Sequence, residues 1–99
     1  MMEEDDLSIP KEVRLRYIER RQKDIEVLRS ALRTQALEEF ERIGHQLKGN
    51  ASSFGYSDLE KVAIQMEIAG GKRDMAEASQ QLTLFEKWFE KVSAESNKE

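Results

Sequence analysis

The chain carries one histidine, His45, and no cysteine. Imidazole changes charge between pH 5 and 8, so nucleophilic or acid–base chemistry near neutral pH falls to His45. Its surroundings read Gly44-His45-Gln46-Leu47-Lys48-Gly49-Asn50-Ala51-Ser52-Ser53-Phe54-Gly55-Tyr56. Leu37, Phe40, Gly44, Leu47, Ala51 and Phe54 alternate spacings of three and four, the apolar stripe of a helix. At about 100° per residue, His45 points roughly 140° from the centre of that stripe, toward solvent. Lys48 follows one turn on and about 60° around, within reach of the ring. Gly49 lies four residues on, beside the imidazole, and offers no side chain. A helical glycine costs about 1 kcal/mol relative to alanine. Two of them flanking one histidine predict that something approaches this helix closely.

Other uses of a histidine fit less well. A zinc site needs three or four nitrogen or sulfur ligands, which a chain with one histidine and no cysteine does not supply. A buried structural histidine is incompatible with the outward angle. An ordinary surface histidine is the remaining alternative. No glycine-rich phosphate loop is present, so the chain is not expected to use a nucleotide.

The elements that would position this stretch are also legible. Ser8 is the expected N-cap of a first helix running to about Arg33, with Pro10 in its first turn. Ile18, Ile25, Leu28 and Leu32 share its inner face, and Tyr17 lies at the edge. Arg14 and Arg21 interrupt that face. Either their stems snorkel at its margin, or, if this helix pairs antiparallel with the next, Arg20 and Arg21 stand beside His45 as basic groups. Thr34-Gln35 is a turn, with Thr34 as a cap, and the His45 helix begins near Ala36. Gly55 is the left-handed stop. Ser57-Asp58-Leu59-Glu60 and Asp74-Met75-Ala76-Glu77 read as capping boxes. The third helix turns Leu59, Val62, Ala63, Met66 and Ala69 inward and ends at Gly70-Gly71. The fourth turns in Ala78, Leu82, Phe85, Phe89 and Val92, with Trp88 at the flank. Four amphipathic helices with short connections predict an all-α, antiparallel up-down four-helix bundle over residues 9–92. Residues 1–8 and 93–99 are expected to fray.

Ninety-nine residues allow one small domain. Hydrophobic content of 38%, charged content of 36% and a single proline favour a helical, water-soluble protein. The net charge of −4 argues against nucleic acid as a partner. No apolar run approaches a membrane span and no signal peptide is visible, so a cytoplasmic protein without a membrane partner is expected.

The order His-x-Leu-Lys-Gly at His45–Gly49, then a small residue, then Phe54-Gly55, resembles the histidine-containing phosphotransfer (HPt) domain of two-component phosphorelays. Leu59 and Met66-Glu67 stand where such domains carry Leu and Leu-Glu, and the likeness covers roughly residues 9–92. Ser53-Phe54-Gly55-Tyr56-Ser57 is similar to the phosphotransfer domain of chemotaxis kinases. Gly44 departs from the family's usual alanine, a small change expected to affect helix stability more than chemistry. The resemblance implies the same four-helix bundle and a carrier rather than an enzyme. In it His45 accepts a phosphoryl group and Lys48 stabilises phosphoryl charge. Glu67 lies near the non-reacting ring nitrogen to orient the imidazole; otherwise it is a solvated carboxylate at the core's edge. The implied partners are the receiver domain of a response regulator, which brings the aspartate and a Mg2+ ion, and a sensor histidine kinase. No cofactor or metal of the chain's own is implied, and a monomer is expected. Ile64, which with Ile68 projects away from the core stripe, joins Gly49 and Ser52 in a patch for the receiver, with Arg21 as a basic contact. Two rival readings stay open: a non-catalytic helical interaction module, and an excised phosphotransfer domain of a chemotaxis-type histidine kinase.

Overall fold

The computed structural model describes residues 9–97. Four helices follow in order: α1 (Lys11–Thr34), α2 (Glu38–Asn50), α3 (Ser57–Lys72) and α4 (Met75–Asn97), with a 3-10 turn at Ser52–Phe54 between α2 and α3. They form the up-down bundle expected from the pattern, each packing against its neighbours in a ring that α1 and α4 close. The core is a single apolar cluster in which Leu28, Phe40, Ile43, Leu47, Leu59, Met66 and Phe85 are essentially sealed from solvent. Among the described residues no helix is long and apolar enough to cross a membrane.

Several boundaries differ from the sequence expectation. Ser8 lies outside the described residues. Pro10 is not in the first turn but caps α1 from outside, its carbonyl accepting the amides of Val13 and Arg14. Thr34 caps nothing; its hydroxyl donates to the Ser30 carbonyl one turn back, and Gln35 takes the left-handed conformation at φ 62°. Gly55 is left-handed as expected, at φ 82°, but it closes the 3-10 turn, α2 having already ended at Asn50. The box at Ser57–Glu60 does not form: Tyr56 is the N-cap, and Asp58 accepts the adjacent Leu59 amide and the Lys91 ammonium of α4 instead. Asp74 does accept the Glu77 amide, at 3.1 Å. α4 continues past Val92 to Asn97, so residues 93–97 extend the bundle. On α4 it is Trp88 that enters the core, while Phe89 is only partly buried.

The glycines carry the largest correction. Gly70-Gly71 does not end α3, which runs on to Lys72 and stops at left-handed Arg73. A Cβ on Gly70 would collide with the backbone amide of Glu41 and come within 2.8 Å of the Leu37 carbonyl. A Cβ on Gly44 would lie 2.6 Å from the Glu67 amide and 2.7 Å from the Ala63 carbonyl. These two glycines, one on each helix, let the antiparallel backbones of α2 and α3 touch at two levels. Alanine at 44 is therefore not a small change in this chain: a methyl there meets the neighbouring main chain.

Candidate functional site

His45 stands on the outer face of α2, on the flank toward α3, with 70% of its side chain exposed. The inward stripe explains this: Phe40, Ile43, Gly44, Leu47 and Ala51 are all buried, and the ring leaves the helix on the opposite side. Helical side chains lean toward the N-terminus of their own helix. In an antiparallel pair the leans run in opposite directions, so residues offset in level meet. Gly44 opposes Ala63 and Glu67. Glu67 accordingly reaches the His45 ring, with Oε2 3.0 Å from Nδ1. Lys48 leans back one turn, and its Nζ lies 2.7 Å from the other oxygen of the same carboxylate. Glu67 thus bridges the two residues of α2.

The electrostatics follow from this bridge. Lys48, and after it His45, hold the Glu67 carboxyl below its ordinary 4.5, against partial desolvation that pushes the other way. An ionised carboxylate only accepts hydrogen bonds, so Nδ1 must carry the proton it shares with Oε2. In a neutral ring the lone pair then belongs to Nε2. Glu67 therefore selects the tautomer with the lone pair on Nε2.

Gly49 is exposed and follows His45 by four residues on the same side of α2, and Ser52 is exposed at the start of the 3-10 turn beyond it. A Cβ on Gly49 would meet nothing within 4 Å. Ile64 stands on α3 between the two residues that oppose Gly44, half-buried, and Ile68 one turn on is 43% exposed. Contact joins His45, Lys48 and Glu67; Gly49 lies one turn beyond His45 on α2, and Ile64 about one turn before Glu67 on α3.

Arg21 does not join them. Tyr17 on α1 donates a 2.6 Å hydrogen bond to Asn50 Oδ1 of α2, which sets the register of that pair. Arg21, one turn further along α1, is then level with the histidine, as counting from the turn predicts. It stands on the wrong flank, because His45 leans to α3 and α1 packs on the other side of α2. Its guanidinium is buried, 4.3 Å above the Tyr17 ring and 3.0 Å from Asp24. Burial pushes the Asp24 carboxyl up, with Arg21 first among the charges that oppose it. Neither sequence account of Arg21 holds, since the head group is buried instead of snorkelling out or facing His45. The sequence also gives no sign that Lys48 and His45 share one carboxylate, because Glu67 comes from another helix.

Among the described residues no cluster of three or more His, Cys, Asp or Glu is arranged to hold a metal ion.

The bundle thus carries an exposed histidine on its second helix with a carboxylate from the third against its ring. The family model described as Hpt domain matches residues 12–95, and the chain belongs to that family. Membership makes it a phosphoryl carrier of two-component signalling, of a kind that works with kinases and receiver domains. No curated protein and no solved structure matches the chain.

Proposed function

We propose that the protein accepts a phosphoryl group on Nε2 of His45 from the aspartyl phosphate of a receiver domain and returns it by the reverse step. The observation that carries this reading is the Glu67 bridge: it fixes the proton on Nδ1 and leaves Nε2 exposed as the nucleophile. The Nε2 lone pair attacks phosphorus, the P–O bond to the receiver's aspartate breaks, and that carboxylate leaves. The N–P bond forms with the Nδ1 proton still in place. The positive charge that develops on the ring is met by Glu67. Lys48, already at the site, turns from Glu67 to the phosphoryl oxygens. The receiver brings the Mg2+ ion and docks over Gly49, Ser52 and Ile64, where the bare backbone at Gly49 admits its active-site loops. Phosphoryl groups enter the relay from a sensor histidine kinase. The chain acts in the cytoplasm as a monomer and needs no cofactor of its own.

The test is to mix the protein with a receiver carrying labelled aspartyl phosphate and Mg2+. Acid-labile, base-stable label appearing on the wild type and absent from His45→Gln supports transfer. Label that stays on the receiver while the two proteins still bind identifies a non-catalytic interaction module instead.

A further inference from the structure

α1 and α4 form the side of the bundle diagonal to the α2–α3 pair, away from His45. Between them runs a groove made of two adjoining depressions of about 200 and 330 Å3, which share Gln22 and Phe89. Its apolar floor comes from Leu15, Ile18, Ile25 and Phe89. Trp88 faces the core, and Phe89, the next residue and about 100° further around α4, is only partly buried and lines the groove. The rim is acidic, carrying Glu19, Glu26, Glu86 and Glu90. Among the described residues lining the groove the one cation, Arg29, is already engaged by Glu86 at 2.7 Å. From Leu15 to Arg29 the groove is ~21 Å long, the length of a helix of about 14 residues.

We propose that this groove docks a basic amphipathic helix of a partner protein. Its straight course between two antiparallel helices suits a third helix laid along it. Four apolar floor residues call for an apolar ridge at spacings of three and four, and Glu19, Glu26 and Glu90, which the groove's own arginine does not engage, call for lysine or arginine on its flanks. A second copy of this chain placed symmetrically on the groove would set one acidic rim against the other. Docking here leaves the face of His45 open, so a partner holds the module while phosphoryl transfer proceeds.

The test is titration of the isotope-labelled full chain with a synthetic 14-residue helical peptide that bears leucines at spacings of three and four flanked by lysines. Amide shifts at Leu15, Gln22, Glu26, Phe89 and Glu90 are expected, with His45 and Ile64 unmoved. Glu26→Lys or Glu90→Lys should weaken binding about tenfold or more. Glu38→Lys, an equal charge change at the start of α2, should weaken it less than about twofold. A peptide with glutamates in place of the lysines should not bind. Shifts centred on α2 and α3, equal losses for all three reversals, or no saturable binding would each overturn the proposal. So would concentration-dependent shifts at the groove without peptide, which would make a second copy the occupant.

Discussion

Gly44 and Gly49 lie five residues apart on one helix, and their alanine variants should move stability in opposite directions. Each substitution gains about 1 kcal/mol of helix propensity. At Gly49 nothing stands within 4 Å of the new methyl, so the gain is kept. For a domain of this size that is a rise of about 4–8 °C in Tm. At Gly44 the methyl would lie 2.6 Å and 2.7 Å from main-chain atoms of α3. A backbone cannot rotate aside as a side chain can, so α2 and α3 must part by ~1 Å to restore ordinary contact. Overpacking of this kind costs about 1–3 kcal/mol, and the parting also loosens Phe40, Leu47 and Met66. Set against the propensity gain, the net is a loss of up to about 2 kcal/mol, a fall of up to roughly 15 °C. Thermal unfolding followed by far-UV circular dichroism reads both. A second signal follows, because Glu67 rides on α3: parting the helices lengthens its 3.0 Å contact with His45 and shifts the ring resonances. If Gly44→Ala raises Tm as much as Gly49→Ala, the close approach of α2 and α3 is not what Gly44 serves.

Gly49→Leu should fold at least as well as wild type, since the position is open, yet transfer from a phosphorylated receiver should fall steeply; normal transfer would move the receiver off this face. Lys48→Ala should keep the fold and slow transfer about tenfold, the low end for an electrostatic contact at an exposed site; an unchanged rate in single-turnover mixing would assign that charge to the receiver. Glu67→Gln should perturb the His45 ring signals, lower transfer and change acid stability. Because the Glu67 carboxyl is held below 4.5 in the folded chain, its contribution is present above that value and is lost as pH falls through the lowered one. The stability gap between wild type and Glu67→Gln, measured by urea unfolding across pH, should therefore be steady above about pH 5 and close in more acid solution. A gap that persists unchanged at acid pH would mean that Lys48 and His45 do not hold the carboxylate.

How much of this was legible in the sequence depended on whether a residue's signal was local. The outward direction of His45 follows from the stripe of Leu37, Phe40, Gly44, Leu47 and Ala51, because helical periodicity is a property of the chain itself. The meaning of Gly70 is not local. A glycine serves equally as a helix stop and as a point where a second backbone touches, and only the packing of α3 on α2 decides between them. The cost of a methyl at Gly44 is not local either, since it is the α3 backbone that the methyl would meet. Trp88 and Phe89 differ by one step on the wheel, so periodicity assigned the core to the wrong one of the pair. The level of Arg21 was right because it depends on counting from a turn, whereas its flank depends on the side of α2 that α1 occupies. The box at Ser57–Glu60 had the right residue types one position out of register, with Tyr56 at the cap. For Glu67, the sequence placed it at the edge of the core, and resemblance brought it near the histidine. That one carboxylate also binds Lys48 needed the two helices in place.

The most direct test of the central claim is to identify the ring nitrogen that bears phosphorus. The protein, with its imidazole labelled with nitrogen-15, is phosphorylated by a receiver with Mg2+ and observed by nitrogen and phosphorus NMR under alkaline conditions that preserve the N–P bond. Glu67 on Nδ1 predicts a single species coupled to phosphorus through Nε2 of His45. Phosphorus on Nδ1 would contradict the role given to Glu67, and a chain that acquires no phosphohistidine would contradict the account as a whole.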